Sequence, residues 1–329
     1  MTVTPASEAS HSPSPLSSLK VVALAGGVGG AKLAWGLGQV LLPERLTIIV
    51  NTADDFEHLD LHISPDLDTV MYTLADMANP ETGWGLRDET WSMQRMLSRY
   101  EGPTWFRLGD HDLATHLLRS KWLHEGFPLT WVTHELCMLL GVRQVILPMS
   151  DNPVRTIVHT DSGRLPFQEY FVLHGWRPAI RSIQFEGIES ARPSQEVVSA
   201  LRDADAIIFC PSNPFVSLDP ILALPAMRRI ITASRAPKVA VTPIVAGQAL
   251  KGPAAKMLRE LGLEVSPVSV AHHYRDLVTG FVLDQQDQAL KPAIAFDLGM
   301  RALVTDTIMK TDEDRTRLAR EVLEFAVQL

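Results

Sequence analysis

The sequence predicts an α/β fold: a Rossmann-like, doubly wound, mainly parallel sheet with a small mixed α+β insertion or lid. Three observations carry that expectation. An apolar strand, Val21–Ala25, runs into the turn Gly26-Gly27-Val28-Gly29-Gly30-Ala31-Lys32 and an amphipathic stretch, and a second strand, Leu46–Val50, follows; this is the order of a right-handed crossover. The strand candidates are apolar on both faces, as strands covered by helices on both sides must be. Several of them end in loops rich in Asp, Asn, Ser, Pro or Gly, and in an open α/β sheet such loops converge on one crevice at the carboxyl ends of the strands.

Taken in order, helix 31–42 carries Leu33, Leu37, Val40 and Leu41 on one stripe and is ended by Pro43. Helix 68–78 carries Val70, Met71, Leu74 and Met77. Region 84–119 is aromatic and mostly helical, with Gly109-Asp110-His111-Asp112 entering a helix that Asp110 or Asp112 would cap. Helix 129–140 stops at Gly141, the usual residue just past a C-terminus, and strand 144–147 exits into Pro148-Met149-Ser150-Asp151. Shorter alternating runs between residues 154 and 186 predict an antiparallel excursion. Helix 194–202, strand 206–210, strand Lys238–Val241 and a final helix 313–327 restore the parallel pattern. The organisation expected is a disordered Ser/Pro/Thr-rich tail at 1–18 and one catalytic domain at 19–329.

The chain has 329 residues, 46% hydrophobic and 21% charged, with 30 basic against 38 acidic side chains. A net charge of −8 argues against a nucleic-acid surface, which needs clustered cations. No apolar run approaches the roughly 18 residues of a membrane span, and the amino-terminal stretch lacks the basic and apolar regions of a secretory signal; the cytoplasm is the expected location. Cys137 and Cys210, isolated in apolar surroundings, read as small core residues.

The chemistry concentrates between residues 21 and 68. Glycines at 26, 27, 29 and 30 let backbone approach a ligand, and the N–H groups opening the next helix suit an anion such as phosphate. The run Asn51-Thr52-Ala53-Asp54-Asp55 and the run Ser64-Pro65-Asp66-Leu67-Asp68 bring four carboxylates to the neighbouring loop. Each could be a loop or capping aspartate; as a set they would repel one another without a cation, and oxygen ligands beside a phosphate site suit magnesium. The turn is not a P-loop, since Lys32 is not followed in the Gly-Lys-Ser/Thr order, and Asn51 stands where a dinucleotide enzyme places its ribose-binding acid. His58 and His62 have helical spacing but lack a zincin glutamate; His111 and His116 are better placed to meet substrate, and Asn213, after an apolar strand, to read a base or ribose.

Read together, these stretches resemble the 2-phospho-L-lactate transferases of coenzyme F420 biosynthesis. The likeness runs in order through residues 26–33, 51–55, 64–74, 108–116, 147–151, 211–214, 251–254 and 306–309. His111 stands where the family often has Arg, and the tail is extra. The resemblance implies a magnesium-dependent reaction in which a guanosine diphosphate-linked donor passes its phosphorylated three-carbon acid to the ribityl hydroxyl of the deazaflavin Fo, releasing GMP. It implies magnesium on Asp55 and Asp68, with Asp54 and Asp66 as further ligands or as proton acceptor. Gly27, Gly29, Gly30 and Lys32 would steady phosphate or the ribityl chain. Ser150, Asp151, Ser212, Asn213, Lys251 and Gly252 would hold the guanosine end, with Asn51, Thr52, Gly109, Asp110 and His116 also facing substrate. A homodimer is implied as well. The alternative is a non-catalytic, nucleotide-sugar-binding regulator of the same superfamily.

Overall fold

The computed structural model describes residues 15–329. Residues 1–14 of the expected tail lie outside the described residues. Its end is ordered: Pro15–Ser18 form a 3-10 turn, and Leu42 N–H donates to the Ser17 carbonyl at 3.0 Å, tying this segment to the end of the first helix.

In chain order, β1 (Val21–Ala25), α1 (Gly27–Val40) and β2 (Leu46–Val50) make the first crossover. A hairpin of β3 (Phe56–His58) and β4 (Leu61–Ile63) leads to α2 (Pro65–Leu74), α3 (Ser92–Arg99), α4 (Asp110–His124), α5 (Leu129–Leu139) and β5 (Val145–Pro148). The excursion is a three-stranded antiparallel sheet of β6 (Arg155–Thr160), β7 (Gly163–Pro166) and β8 (Ile180–Glu186). Its middle run, Glu169–Leu173, is a wide helical turn where alternation predicted a strand. Then come α6 (Gln195–Asp203), β9 (Ala206–Phe209), α7 (Asp219–Ala223), α8 (Met227–Ala233) and β10 (Lys238–Val241). A short hairpin of β11 (Ile244–Val245) and β12 (Gln248–Ala249) precedes α9 (Ala254–Glu260), α10 (Pro267–His273), β13 (Gly280–Asp284), β14 (Arg301–Thr305) and α11 (Asp312–Ala326).

The seven-stranded sheet has the order β14-β13-β10-β9-β1-β2-β5, and every pairing in it is parallel. From β1 the chain steps outward through β2 to β5, then restarts at β9 and steps the other way. The reversal falls between β1 and β9, where Val21 faces Leu46 on one side and Ala206 on the other. Alternate residues of β1 enter different cores. Val22 and Leu24 pack with Val158, Val197 and Val270; Val21, Ala23 and Ala25 pack with Leu33, Leu37, Val70 and Val322. Three layers result, and the crevice this topology opens at the sheet centre lies beyond the ends of β1 and β9.

Candidate active site

A cavity of about 650 Å³ occupies that crevice. Its first wall is the glycine turn, which lines the cavity at Gly27 and Gly29 and also has a packing role. Helix α1 starts at Gly27, so Gly29 and Gly30 lie inside its first turns. A Cβ on Gly29 would meet the Pro211 carbonyl at 2.3 Å, and one on Gly30 would meet Ser212 Oγ at 2.4 Å. These two residues let α1 seat against the loop after β9. Only Gly27 uses its freedom of backbone, at φ +58°. Its N–H donates to Asp66 Oδ1 at 2.8 Å, so a carboxylate of the protein already occupies that amide. Ser212 locks the two loops together: its hydroxyl donates to the Gly26 carbonyl at 2.7 Å and accepts from the Gly26 N–H at 3.1 Å.

The floor is acidic. Asp66 accepts from Gly27 and, through Oδ2, from Asn51 Nδ2 at 2.9 Å. Burial outweighs those two bonds and, with the charge of Asp55 alongside, pushes its pKa up to about 6. Asp54 is raised further, first by burial and then by the Asp66 charge. Its Oδ1 is buried without a full hydrogen bond, and the nearby Thr156 and Asn51 side chains offset only part of the rise. Asp55 accepts from Ser64 Oγ at 2.8 Å and meets His62 Nε2 at 3.1 Å through Oδ2, leaving Oδ1 unpartnered.

Asp68 departs from the expected role of cation ligand. Both of its oxygens are taken by the guanidinium of Arg119, a side chain only 1% exposed. Burial alone would weaken Arg119's hold on its proton, but the Asp68 charge more than reverses that. His116 sits between Asp68, at 3.8 Å, and Asp112, at 3.2 Å, and Tyr72 O–H donates to Asp112 at 2.7 Å. Burial would raise Asp112, yet His116, Tyr72 and Arg119 together hold it below the ordinary carboxylate range. Asp68, Asp112, His116 and Tyr72 line the cavity.

Among the described residues, no three His, Cys, Asp or Glu side chains gather into a metal cage. Magnesium takes one or two carboxylates and completes its shell with phosphate oxygens and water. Asp54 and Asp66 fit: both line the cavity, Asp54 offers an oxygen without a full hydrogen bond, and the Asp66 charge raises the cost of ionising Asp54.

Above the floor, Lys32 donates from Nζ to the Met309 carbonyl at 2.8 Å, and Lys251 from Nζ to the Thr82 carbonyl at 3.1 Å. Burial, then the nearby Arg315 and Lys251, lower the Lys32 pKa. Asn213 caps the turn after β9, accepting from Phe215 N–H at 3.0 Å, and it lines the cavity with Ser212 and Gly252. Trp105, Phe106, Phe167 and Phe171 supply an apolar wall.

Other expected site residues are absent from the cavity lining. Asn51 is fully buried and its amide is spent on Asp66, Val216 and Ala53, so it positions Asp66. Thr52 is buried behind it. Gly109 begins α4, whose first amides at His111 and Asp112 are capped by Glu89, and Asp110 instead accepts from Ser92 and Met93 at the start of α3. Ser150 donates to the Arg192 carbonyl at 2.6 Å, and Asp151 accepts from Thr130 N–H in α5. They follow β5, an edge strand, two strands from the switch point. Arg119 and Tyr72 were not singled out from sequence. The signal was an inversion along α4: Asp112, His116 and Arg119 are buried while Leu117 and Leu118 are exposed.

Comparison with known proteins gives the site its context. The family model for 2-phospho-L-lactate transferase CofD matches residues 21–320. A phosphoenolpyruvate transferase of Kitasatospora aureofaciens is 41% identical over 321 residues, covering 94% of this chain and 99% of that one. A 2-phospho-L-lactate transferase of Methanosarcina mazei is 36% identical over 305 residues, covering 92% and 99%. A crystal structure of a UPF0052 family member from Bacillus halodurans superposes with a TM-score of 0.61 at 16% identity, over 93% of this chain and 100% of that one, a likeness of fold.

Proposed function

The chain belongs to the 2-phospho-L-lactate transferase CofD family, and from that premise we propose that it transfers a phosphorylated three-carbon acid from a guanosine diphosphate-linked donor to the ribityl hydroxyl of the deazaflavin Fo, releasing GMP. One observation carries the reading: anion-binding groups, buried carboxylates and an aromatic wall share a single cavity at the switch point of the sheet. Diphosphate, reacting hydroxyl and ring each find a matching surface there.

The reaction forms a bond from the hydroxyl oxygen to the phosphorus bearing the acid. It breaks the bond from that phosphorus to the bridging oxygen, which leaves with GMP. Such a displacement depends on alignment and charge neutralisation. Lys32, Lys251 and the opening turn of α1 would grip the diphosphate. Asn213 and Gly252 would face the nucleoside. Asp54 is the best-suited acceptor for the hydroxyl proton, since its oxygen without a full hydrogen bond lies in the cavity floor and burial gives it a raised proton affinity. Asp54 and Asp66 would also hold magnesium, which when bound offsets the charge developing on the phosphate oxygens. Asn51 and Gly27 fix Asp66; Arg119 fixes Asp68 and, with Tyr72, helps hold His116 and Asp112 at the cavity wall, where they would face substrate.

No helix among the described residues is long and apolar enough to cross a membrane. Small charged metabolites as substrates support a cytoplasmic setting. Apolar side chains exposed on α4 and α5 (Leu117, Met138 and Leu139) support a homodimer, which the mass in solution would test. The deciding experiment presents the protein with Fo, magnesium and guanylylated phospholactate, phosphoenolpyruvate and phosphoglycerate in turn. GMP release with a product whose mass equals Fo plus donor minus GMP is expected from one donor; no GMP from any of them overturns the reading.

A further inference from the structure

Residues 306–309 are part of the family likeness, yet they leave β14, an edge strand four places from β1 in the sheet. The chain turns back over the carboxyl ends of the strands between, and Thr307 and Met309 come to line the cavity. There the Met309 carbonyl accepts from Lys32 Nζ at 2.8 Å and fixes this half-buried ammonium against the cavity wall. The ammonium keeps two further N–H donors for a ligand.

What holds the loop in place is Asp284, the last residue of β13, which faces Thr305 across the strand pair and is fully buried. Its Oδ1 accepts from Gln286 N–H at 2.9 Å and closes the turn after the strand. Its Oδ2 accepts twice from Thr307, from the N–H at 2.8 Å and from the hydroxyl at 3.0 Å. Beyond Met309, the N–H groups of Lys310 and Thr311 both donate to Asp314 Oδ2 at 2.9 Å, at the start of α11. The Met309 carbonyl is therefore suspended between two carboxylates that grip the chain on either side of it.

A carboxylate that only closed a turn would need one oxygen. Burying the group is costly unless its hydrogen bonds are made, and Asp284 commits a whole oxygen to a single residue of the cavity wall. The lysine supplies the reason for fixing that wall. Its charge rides on a flexible four-carbon stem, and ordering such a stem when a ligand binds subtracts from affinity. A carbonyl held rigidly beside the site leaves less ordering to be done.

We propose that Asp284 is a positioning residue: through Thr307 and the Met309 carbonyl it sets where Lys32 presents its charge to the diphosphate. The inference rests on the transferase reading above, in which Lys32 grips the donor, and adds a residue that itself touches no substrate.

Calorimetry of GDP binding to wild type, Asp284→Asn, Lys32→Ala and the double variant tests it as a cycle. In Asp284→Asn one N–H faces another whichever way the new amide turns. The Kd for GDP is expected to weaken roughly tenfold in each single variant, and the double variant should bind no more weakly than Lys32→Ala alone. Losses that multiply to about a hundredfold, or a Kd unmoved by Asp284→Asn, overturn the proposal and leave the aspartate as a fastener of the strand end. Thr307→Val and Thr307→Ser carry the same cycle should Asp284→Asn fail to fold. Thr307→Val should weaken GDP roughly threefold, an effect that vanishes in the Lys32→Ala background, and Thr307→Ser should bind as wild type; equal Kd values for these two variants overturn the proposal as well. Wild type that binds no GDP at all overturns the transferase reading and this inference with it.

Discussion

Asp54 is where the chemistry and the stability of this protein pull in opposite directions. A carboxyl whose folded pKa lies above its ordinary value binds its proton more tightly when folded, so stability falls as pH rises between the two values. For Asp66 that window runs from 3.8 to about 6, at a cost of roughly 3 kcal/mol once ionised. Asp54 has the same sign. In metal-free protein, Asp54→Asn should therefore melt above wild type at pH 7.5, with the difference shrinking toward pH 4, while turnover falls by about 10²–10⁴-fold. A variant that melts below wild type at every pH would show that Asp54's charge is compensated inside the fold. Arg119 makes the converse case. Arg119→Met leaves Asp68 buried and unpaired, a loss of about 3–5 kcal/mol. Adding Asp68→Asn should restore much of it; chemical denaturation of the single and double variants measures the recovery.

At the scale of elements, the site depends on how closely α1 can approach its neighbours. Gly29 has the Pro211 carbonyl against its missing Cβ, and Gly36 has the Arg315 carbonyl of α11 at 2.2 Å and Ala319 beside it. Backbone cannot yield as a flexible side chain can. Gly36→Ala and Gly29→Ala should each cost about 1–3 kcal/mol. They should differ in function: Gly29→Ala shifts the wall of the cavity and raises the KM for donor, whereas Gly36→Ala, on the far face of α1, leaves KM near wild type. Equal effects on KM would mean that α1 moves as a rigid rod. The periodic apolar pattern made α1 and α11 legible in advance, but it could not show that the glycines serve helix packing before they serve a ligand. That distinction depends on the loop after β9, some 180 residues away in the chain, whose Ser212 hydrogen-bonds Gly26.

Across the whole molecule, two cores flank one sheet, and the candidate site lies where the sheet changes direction. Binding there ties together the glycine turn, the acidic loop and the loop after β9. A donor analogue at a hundredfold over its Kd, with magnesium, should raise unfolding free energy by about 2.7 kcal/mol. Chelation by EDTA should remove most of that gain, while having little effect on the melting of protein without nucleotide. An analogue that stabilises equally in EDTA would show that Lys32, Lys251 and the helix terminus suffice to hold the diphosphate.

The parallel sheet, its first crossover and the gathering of Asp54 and Asp66 near the glycine turn were set by local rules: strands apolar on both faces, helical spacing, and polar loops at strand ends. Those rules act over a few residues, so one sequence is enough to read them. Which carboxylates stay free was decided only by the tertiary structure. Asp68 and Asp54 look alike in a sequence, yet a guanidinium on α4 claims both oxygens of Asp68 while no charged partner neutralises Asp54, whose Oδ1 makes no full hydrogen bond. Ser150, Asp151 and Asp110 follow the same loop pattern as Ser212, but strand order sets two of them at a sheet edge and a neighbouring helix start takes the third. A charge is available to a substrate only when nothing in the fold neutralises it first, and its neutralising partner can come from any distance along the chain.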